Sequence, residues 1–361
     1  MKRKHRLSKY VILCSLIVVS LLIVAGQRRP AAGQPAADSA PNLLVNSNFD
    51  ELPFYWRPPN HFVAGGWYRW WLQATVMPEF DDVNKPGGVR RETYLTGGHA
   101  QVYFKWGHHY TAGIFQVVHG LTPCRPYELT MHARTHSLDG AHPGSRIGLD
   151  PWGAHLALDG EVSDFTPLHR ANWSREQTVL SQWEELAVTA EPRGESMTAI
   201  LYAAPRPGDP GRTHYYDTFW DAGALRAADY EGDRLPGPIQ ATTGLIYDVS
   251  TAVSSQELTV NWKLSVPATT QVWYGLVSPS QVVTGTDHLT RTVYLPLASQ
   301  IRFDFEHTLP VNYDVTELTH TAVIRDYTPG QTINAVVLAR RLVDGVCVTE
   351  YAGPFVIKTL P

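Results

Sequence analysis

Histidines are the residues of this sequence whose type and clustering first suggest metal or acid–base chemistry. Nine of the fifteen histidines lie between His99 and His169. His108-His109, His132 and His136 are conceivable zinc ligands, but His132 and His136 fall on or just beyond one predicted strand, and no second-shell pattern can be read from the sequence. Exposed histidines without a bound metal ion are the simpler interpretation.

Acidic residues offer a second kind of chemistry. Asp150, Glu184 and Glu185 are available as the paired carboxylates of a glycosidase, but such a pair acts only at a defined separation. Asp150-Pro151 is more typical of a turn whose carboxylate accepts hydrogen bonds from backbone N–H groups. The chain contains no GxSxG, HExxH or GxxxxGK motif. The sequence therefore favours a non-catalytic protein, with a polysaccharide-acting enzyme as the weaker alternative.

Aromatic residues are a third feature, and they could form a binding surface. The densest patch runs from Trp67 to Trp71 (WYRWW), and a second follows at Lys105–Tyr110 (KWGHHY). In a strand, alternation places Tyr68 and Trp70 on the opposite face from Trp67 and Trp71. One face must point into the core, so at most half of the patch can contact a ligand.

Short strands are the elements that must position these side chains. From Asn42 onward, runs rich in Val, Ile, Tyr, Trp and Thr alternate with turns rich in Gly, Pro and Asp. The predicted strands include Leu43–Val45, Gln101–Lys105, Ile114–Val118, Tyr127–Ala133, Leu186–Thr189, Met197–Tyr202, Leu258–Leu264, Val272–Tyr274, Val293–Leu295, Ile333–Leu338 and Phe355–Lys358. Beyond the N-terminal segment no window keeps a helical period, which predicts an all-β sandwich or jelly roll.

Composition divides the chain into segments. Residues 1–26 place five basic residues before a sixteen-residue apolar run (Tyr10–Ala25), which predicts a signal peptide or a retained signal anchor. Residues 27–41 form an Ala/Pro/Gly-rich tether, and residues 227–243 a polar, Pro/Gly-rich linker. These breaks leave two domains, 42–226 and 244–361.

The net charge of the chain limits its possible partners, and its cysteines raise the question of a disulfide. The net charge is −4, and no basic stripe follows the first ten residues, which argues against nucleic-acid binding. Cys124 and Cys347 fall in different predicted domains. An interdomain disulfide is possible in an oxidising compartment, but two separate buried thiols are the favoured interpretation.

Motifs in the first domain resemble a known fold family. Asn42–Asp50 (NLLVNSNFD), Gly65-Gly66-Trp67 and Tyr216–Leu225 (YDTFWDAGAL) resemble the opening strand, the GW pair and the closing strand of galactose-binding-like jelly rolls. This is the fold of carbohydrate-binding modules of families 4, 9, 16 and 22. Arg146–Gly153 (RIGLDPWG) resembles a subgroup of such modules in bacterial surface proteins. The resemblance spans roughly residues 42–226.

The resemblance implies a ligand and a metal ion. It makes Trp67 a core residue, so the candidate glycan-binding aromatics are Tyr68, Trp70, Trp106 and Tyr110. The family often carries a structural calcium ion, whose ligands here would be Asp50, the Thr96-Gly97 region and Asp221. Carboxylate and carbonyl oxygens suit Ca²⁺; the alternative is that both aspartates are ordinary polar strand ends.

The second domain resembles fibronectin type III domains. Leu258–Leu264 with Trp262 resembles their Trp-bearing early strand, and Pro267–Gly275 the segment that follows it. Such domains mostly space neighbouring modules, and their fold assigns no function. Together the sequence predicts an exported, non-catalytic cell-surface protein that recognises carbohydrate, with a structural or protein–protein display module as the main alternative.

Overall fold

The computed structural model describes residues 40–58, 61–72, 75–84, 93–137, 142–157, 160–162, 164–206, 208, 215–237, 239–276, 285–286, 292–293 and 305–361. Pro41–Pro361 form one compact unit. The predicted signal segment 1–26 and nearly all of the tether 27–41 lie outside the described residues. Among the residues that are described, no helix is both long and apolar enough to cross a membrane.

The fold is almost entirely β, as the sequence predicted. In chain order the strands are β1 Phe54–Arg57, β2 His61–Ala64, β3 Tyr68–Leu72, β4 Glu79–Asp82, β5 Gln101–Trp106, β6 Ala112–His119, β7 Tyr127–Ser137, β8 Ser145–Asp150, β9 Gly160–Val162, β10 Asn172–Trp173, β11 Glu184–Ala190, β12 Ser196–Ala203, β13 Tyr215–Ala227, β14 Ile239–Ala241, β15 Ile246–Val253, β16 Leu258–Leu264, β17 Thr269–Gly275, β18 Gly285–Thr286, β19 Thr292–Val293, β20 His307–Thr308, β21 Thr319–Ile324, β22 Thr332–Val343 and β23 Val346–Lys358. A short α-helix, α1, spans Thr166–Arg170.

The first sandwich packs a six-stranded sheet against a five-stranded sheet. The strand orders are β10-β8-β12-β6-β3-β9 and β11-β7-β13-β5-β4, and β1 pairs with β2 in a separate hairpin. Alternate residues of the facing strands fill one core, which includes Ile114, Met131, Leu201 and Trp220. Burial of this apolar surface is the main stabilising contribution to the sandwich.

The outer face of the six-stranded sheet is covered as well. Leu156, Leu168 of α1 and Ala171 pack on outward-facing side chains of β3, β6 and β12. Trp70, Phe115 and Ile200 are therefore fully buried although they point away from the main core. The five-stranded sheet is consequently the better candidate for an accessible binding face.

The second sandwich encloses its own core. The sheet β14-β23-β22-β17-β20 faces the three-stranded sheet β15-β16-β21. In β16 the residues Leu258, Val260, Trp262 and Leu264 are buried, as their period-two spacing predicts. They contact apolar side chains of β17, β22 and β23.

The segment 227–243, predicted as a linker, is packed onto the second sandwich. Tyr230, Leu235 and Ile239 are buried in a cluster with Trp273 and other residues of that sandwich. Ile239–Ala241 forms β14, which pairs in parallel with β23. The overall Pro/Gly-rich composition concealed these three apolar anchors.

Cys124 and Cys347 form a disulfide, which corrects the favoured interpretation of two separate thiols. Their Cα atoms lie 5.6 Å apart although 223 residues separate them in sequence. Tyr230 lies beside the bond and donates its hydroxyl hydrogen bond to the Cys124 carbonyl. The packing of the fold brings the two cysteines within bonding distance. Their separation in the sequence could not indicate that they pair.

Candidate functional site

The outer face of the five-stranded sheet carries an aromatic pair at one end. Trp106 of β5 lies directly opposite Tyr215 of β13 in the antiparallel register. Their ring centroids are 5.1 Å apart with an interplanar angle of 55°. Trp106 is 61% exposed, so much of its indole surface is open to solvent. An exposed indole beside a phenol ring is a surface on which a flat apolar ligand face can stack.

A pocket of about 280 Å³ lies next to this pair on the same face. Its walls and floor are formed by Thr93, Arg134, His136, Tyr215, Asp217 and Phe219. Alternation along β13 explains why three of its residues line the pocket. Tyr216 and Trp220 point into the core, so Tyr215, Asp217 and Phe219 point outward. In the neighbouring strand β7, His136 lies opposite Asp217, and Arg134 lies opposite Phe219.

The polar groups of this pocket differ in charge and in exposure. Asp217 is 2% exposed and forms part of the floor, whereas Arg134 and His136 are half-buried. The Nδ1 atom of His136 is 3.0 Å from the Ser181 hydroxyl, which orients the imidazole. The pocket therefore presents a carboxylate acceptor, a guanidinium donor and a ring nitrogen within one small volume.

Trp70 was predicted as a ligand-binding residue, and the structure corrects this. Its side chain is fully buried, and its ring lies 5.7 Å from that of Tyr202. The alternation in β3 was predicted correctly, but the outward face is covered by Leu156, Leu168 and Ala171. Tyr68, on the same face, remains 37% exposed and has His155 and Phe115 as ring neighbours.

Tyr110 is the second candidate that the structure removes. The side chain is 1% exposed, and its hydroxyl is 3.2 Å from both the Tyr103 carbonyl and the Thr218 hydroxyl. Burial raises the pKa of Tyr110. Tyr110 is thus a satisfied core residue, and of the four predicted aromatics only Tyr68 and Trp106 are accessible. These two lie on different sheets, so they do not form one site.

Asp50 and Asp221 both contact the loop around Thr96-Gly97. Asp221 Oδ2 accepts hydrogen bonds from the backbone N–H groups of Leu95 and Thr96, at 2.6 and 2.9 Å. The Oδ1 atom of Asp221 accepts hydrogen bonds from the Thr96 hydroxyl and from the backbone N–H of Ala222. Burial raises the pKa of Asp221, although these hydrogen bonds favour the charged form.

Asp50 lies on the other side of this loop. Its Oδ1 accepts a hydrogen bond from the His99 N–H at 3.0 Å. Its Oδ2 is buried and has no hydrogen-bond partner among the described residues. A Cβ atom at Gly97 would lie 1.4 Å from that oxygen, and φ is +64° there, so the position requires glycine.

The two aspartates differ in how well they would serve a calcium ion. The unpartnered Oδ2 of Asp50 is a suitable hard ligand. The lone pairs of Asp221 already accept four hydrogen bonds, and N–H groups rather than carbonyl oxygens point at it. Within the described ranges, no cluster of three or more His, Cys, Asp or Glu side chains could hold a metal ion.

Two of the three acidic residues considered for catalysis, Asp150 and Glu184, have structural partners. Asp150 is fully buried and forms a bidentate ion pair with Arg170, with N–O distances of 2.6 and 2.8 Å. Burial alone would raise the pKa of Glu184, but the Thr178 N–H, Arg175 and further hydrogen bonds outweigh it and lower the pKa. A general acid needs the opposite shift.

Sequence reasoning missed most of the pocket. Tyr215, Asp217 and Arg134 were not proposed as site residues, and His136 was considered only as a zinc ligand. The alternation in β13 could have indicated that Asp217 points outward, since Tyr216 and Trp220 are typical core residues. The pairing of β13 with β5 and β7, which assembles the pocket, is not visible in the sequence.

Comparisons with known proteins give distant structural similarities. No protein-family model matches the chain, and no curated protein matches it. TmCBM61, solved in complex with β-1,4-galactotriose, is 14% identical and covers 52% of this chain and 100% of its own, with a TM-score of 0.32. The CBM22-1–CBM22-2 tandem domain of Paenibacillus barcinonensis Xyn10C is 11% identical over 91% of this chain and 87% of its own, with a TM-score of 0.33. The adhesin domain of Epf from Streptococcus pyogenes is 6% identical over 73% and 78%, with a TM-score of 0.29.

Proposed function

We propose that this protein binds carbohydrate through the outer face of its five-stranded sheet. The observation that carries the proposal is the exposed Trp106, paired with Tyr215, beside a pocket that contains Asp217 and Arg134. Tyr68 and Trp70 have no part in it. Trp106 is the single residue of the predicted aromatic set that belongs to this site.

The chemistry of the face suits a sugar. One side of a pyranose ring is lined by C–H groups, which stack on an aromatic ring, while its hydroxyls both donate and accept hydrogen bonds. Trp106 and Tyr215 supply the stacking surface, Asp217 an acceptor, and Arg134 donors. The ion-paired Asp150 and the hydrogen-bonded Glu184 support a binding role rather than hydrolysis.

Export is part of the proposal. The basic and apolar N-terminal residues predict a signal peptide or signal anchor, and the Cys124–Cys347 disulfide supports an oxidising compartment. In this account the protein lies outside the cytoplasm, at the cell surface or in the surrounding medium. Its partner would be a cell-envelope or environmental glycan.

A structural calcium ion is a secondary proposal, and it now depends mainly on Asp50. The buried, unpartnered Oδ2 of Asp50 supports it. Asp221 is better described as the anchor of the Leu95-Thr96 backbone through hydrogen bonds. A bound cation would offset the desolvation of the Asp50 carboxylate.

The proposal can be tested by co-sedimentation of the full chain with insoluble xylan, β-1,4-galactan, cellulose and chitin. We expect at least one polysaccharide to retain the wild-type protein, and the Trp106→Ala variant to stay in the supernatant. Tyr247→Ala is the matched control, because Tyr247 is an exposed aromatic residue of the second sandwich. If no polysaccharide retains the wild type, the display-module alternative is favoured.

A further inference from the structure

A second pocket, of about 380 Å³, lies at the end of the first sandwich, far along the chain from Trp106. Trp152, Arg170 and Arg193 of the first sandwich line it, together with Asp229 and Glu231 from the segment that follows β13. Trp152 belongs to the RIGLDPWG motif (Arg146–Gly153), which has no part in the proposed glycan-binding face. Its residues do not overlap with those of the Trp106 face.

Trp152 is held as a platform by the residues beneath it. The Asp150 carboxylate is fully buried and accepts the Trp152 backbone N–H, as well as two hydrogen bonds from Arg170. The Arg170 guanidinium carbon lies 4.8 Å from the centre of the Trp152 ring, so one ring face contacts a cation. The indole is nevertheless 46% exposed. An aromatic ring that is both oriented and exposed is pre-organised for stacking, which reduces the entropic cost of binding.

Arg193 provides donors that the protein does not use. Its backbone N–H is fixed to the Pro151 carbonyl at 2.7 Å, next to Trp152. Its Nε and Nη1 atoms are buried and have no hydrogen-bond partner in the described part of the chain. Buried N–H donors without a partner are costly, and a ligand that supplies acceptors would relieve that cost.

The charge balance of the pocket defines the class of ligand. Arg170 is neutralised by Asp150, and Glu191, which also lines the pocket, is neutralised by Arg340. Arg193 then remains opposite two exposed acidic residues, Asp229 and Glu231. An acidic group would be repelled by the two carboxylates, and a cationic group has no acceptor for the unpartnered Arg193 donors. A neutral polyhydroxylated ligand satisfies both, since each hydroxyl donates and accepts.

We infer that this pocket is a second saccharide-binding site, specific for a neutral sugar that stacks on Trp152 and hydrogen-bonds with Arg193. The site is independent of the Trp106 face. If both operate, one chain contacts a polysaccharide at two points, and avidity exceeds the affinity of either site alone.

The test is ¹⁹F NMR of the full chain labelled with 5-fluorotryptophan, in which each tryptophan gives its own signal. Trp152→Phe assigns the Trp152 signal, and Trp106→Ala assigns that of Trp106. The probes are xylohexaose, cellohexaose and β-1,4-galactotetraose, each titrated to about 10 mM, the range in which single weak sites saturate. We expect at least one probe to shift the Trp152 signal, and to do so equally in the Trp106→Ala variant.

Arg193→Gln should weaken the Trp152 response about tenfold, because it replaces the charged guanidinium donors by a shorter, neutral amide. Tetragalacturonate should bind more weakly than the neutral probes. An unshifted Trp152 signal with all three neutral probes overturns the inference, as does full affinity in Arg193→Gln or tighter binding of tetragalacturonate. Because the Trp106 signal is read separately, failure of this site and failure of the proposed function are distinguishable.

Discussion

Glu191 and Arg340 form an ion pair that joins the two sandwiches, although 149 residues separate them in sequence. The Arg340 Nη2 and Nε atoms lie 2.8 and 3.2 Å from the two Glu191 carboxylate oxygens. Arg340 is 5% exposed and also donates to the Pro236 carbonyl and the Thr349 hydroxyl. With the Cys124–Cys347 disulfide, this pair fixes one sandwich against the other.

The first prediction concerns this ion pair. Glu191→Ala should lower the free energy of unfolding by about 3 kcal/mol, because it leaves the Arg340 charge buried without its partner. Urea denaturation monitored by tryptophan fluorescence measures the change. Glu257→Ala is the control: its pair with Arg325 is exposed on both sides and should contribute less than about 1 kcal/mol. An equal loss of unfolding free energy in the Glu191→Ala and Glu257→Ala variants would contradict the claim that the buried Glu191–Arg340 ion pair stabilises the contact between the sandwiches.

The second prediction distinguishes the two residues of β3 that were both proposed as glycan ligands. Trp70→Ala should destabilise the protein by about 3–5 kcal/mol, as expected for removal of a fully buried large side chain. Tyr68→Ala should cost less than about 1 kcal/mol, because Tyr68 is partly exposed. Thermal and urea unfolding of both variants test this. A Trp70→Ala protein with wild-type stability would mean that Leu156, Leu168 and Ala171 do not cover the Trp70 indole.

The third prediction is a pH dependence that originates at His61. Its Nδ1 lies 2.6 Å from Arg69 Nη1, and burial, followed by the charge of Arg69, lowers the pKa of His61 from 6.5 to about 4. The unfolded chain therefore takes up a proton as pH falls below about 6.5, whereas the folded protein does so only near pH 4. Stability should fall by up to about 3 kcal/mol across this window and be unaffected by His61 above it.

His61→Gln should remove this part of the pH dependence, which urea midpoints between pH 7 and pH 4.5 would reveal. His99→Gln is a suitable control, because His99 is partly exposed and its Nδ1 lies 2.8 Å from the Asp82 carboxylate. If the wild type and His61→Gln lose stability in parallel as the pH falls, His61 is not the titrating group.

The fourth prediction concerns calcium. If Asp50 binds a structural ion, the melting temperature should rise with the logarithm of free calcium, with a stabilisation of about 2.7 kcal/mol at a hundredfold excess over the dissociation constant. Asp50→Asn should abolish this response. Asp221→Asn should destabilise the protein equally in calcium and in EDTA, because it weakens hydrogen bonds to the Leu95 and Thr96 N–H groups. A wild-type melting temperature that is the same in calcium and in EDTA would exclude the ion.

The sequence predicted the local features of the fold well, because these depend on residue alternation. β16 and the alternation that runs from Trp67 into β3, with Tyr68 and Trp70 on the other face, are examples. It failed where the answer depends on which segments meet in space. The cover over Trp70, the burial of Tyr110, the anchoring of residues 227–243 and the Cys124–Cys347 bond all arise from such contacts.

The candidate site likewise combines a feature that is visible in the local sequence with features that depend on distant segments. Trp106 was selected as an aromatic residue of the Lys105–Tyr110 stretch, which was interpreted as a loop, and the structure makes it the last residue of β5. Its partner Tyr215 is 109 positions away in the printed sequence, and only the β5–β13 register places the two rings side by side. The alternation in β13 could have indicated that Asp217 points outward, but only the pairing of β13 with β7 places it in one pocket with Arg134 and His136.

The most direct test of the central claim is isothermal titration calorimetry of a soluble oligosaccharide derived from whichever polysaccharide retains the protein. Trp106→Ala should weaken binding at least about tenfold, because stacking of one sugar on an exposed indole contributes on the order of 1.4 kcal/mol or more. Tyr247→Ala should bind like the wild type, and both variants should keep the wild-type melting temperature. Wild-type affinity in a folded Trp106→Ala protein would contradict the claim that this face binds carbohydrate.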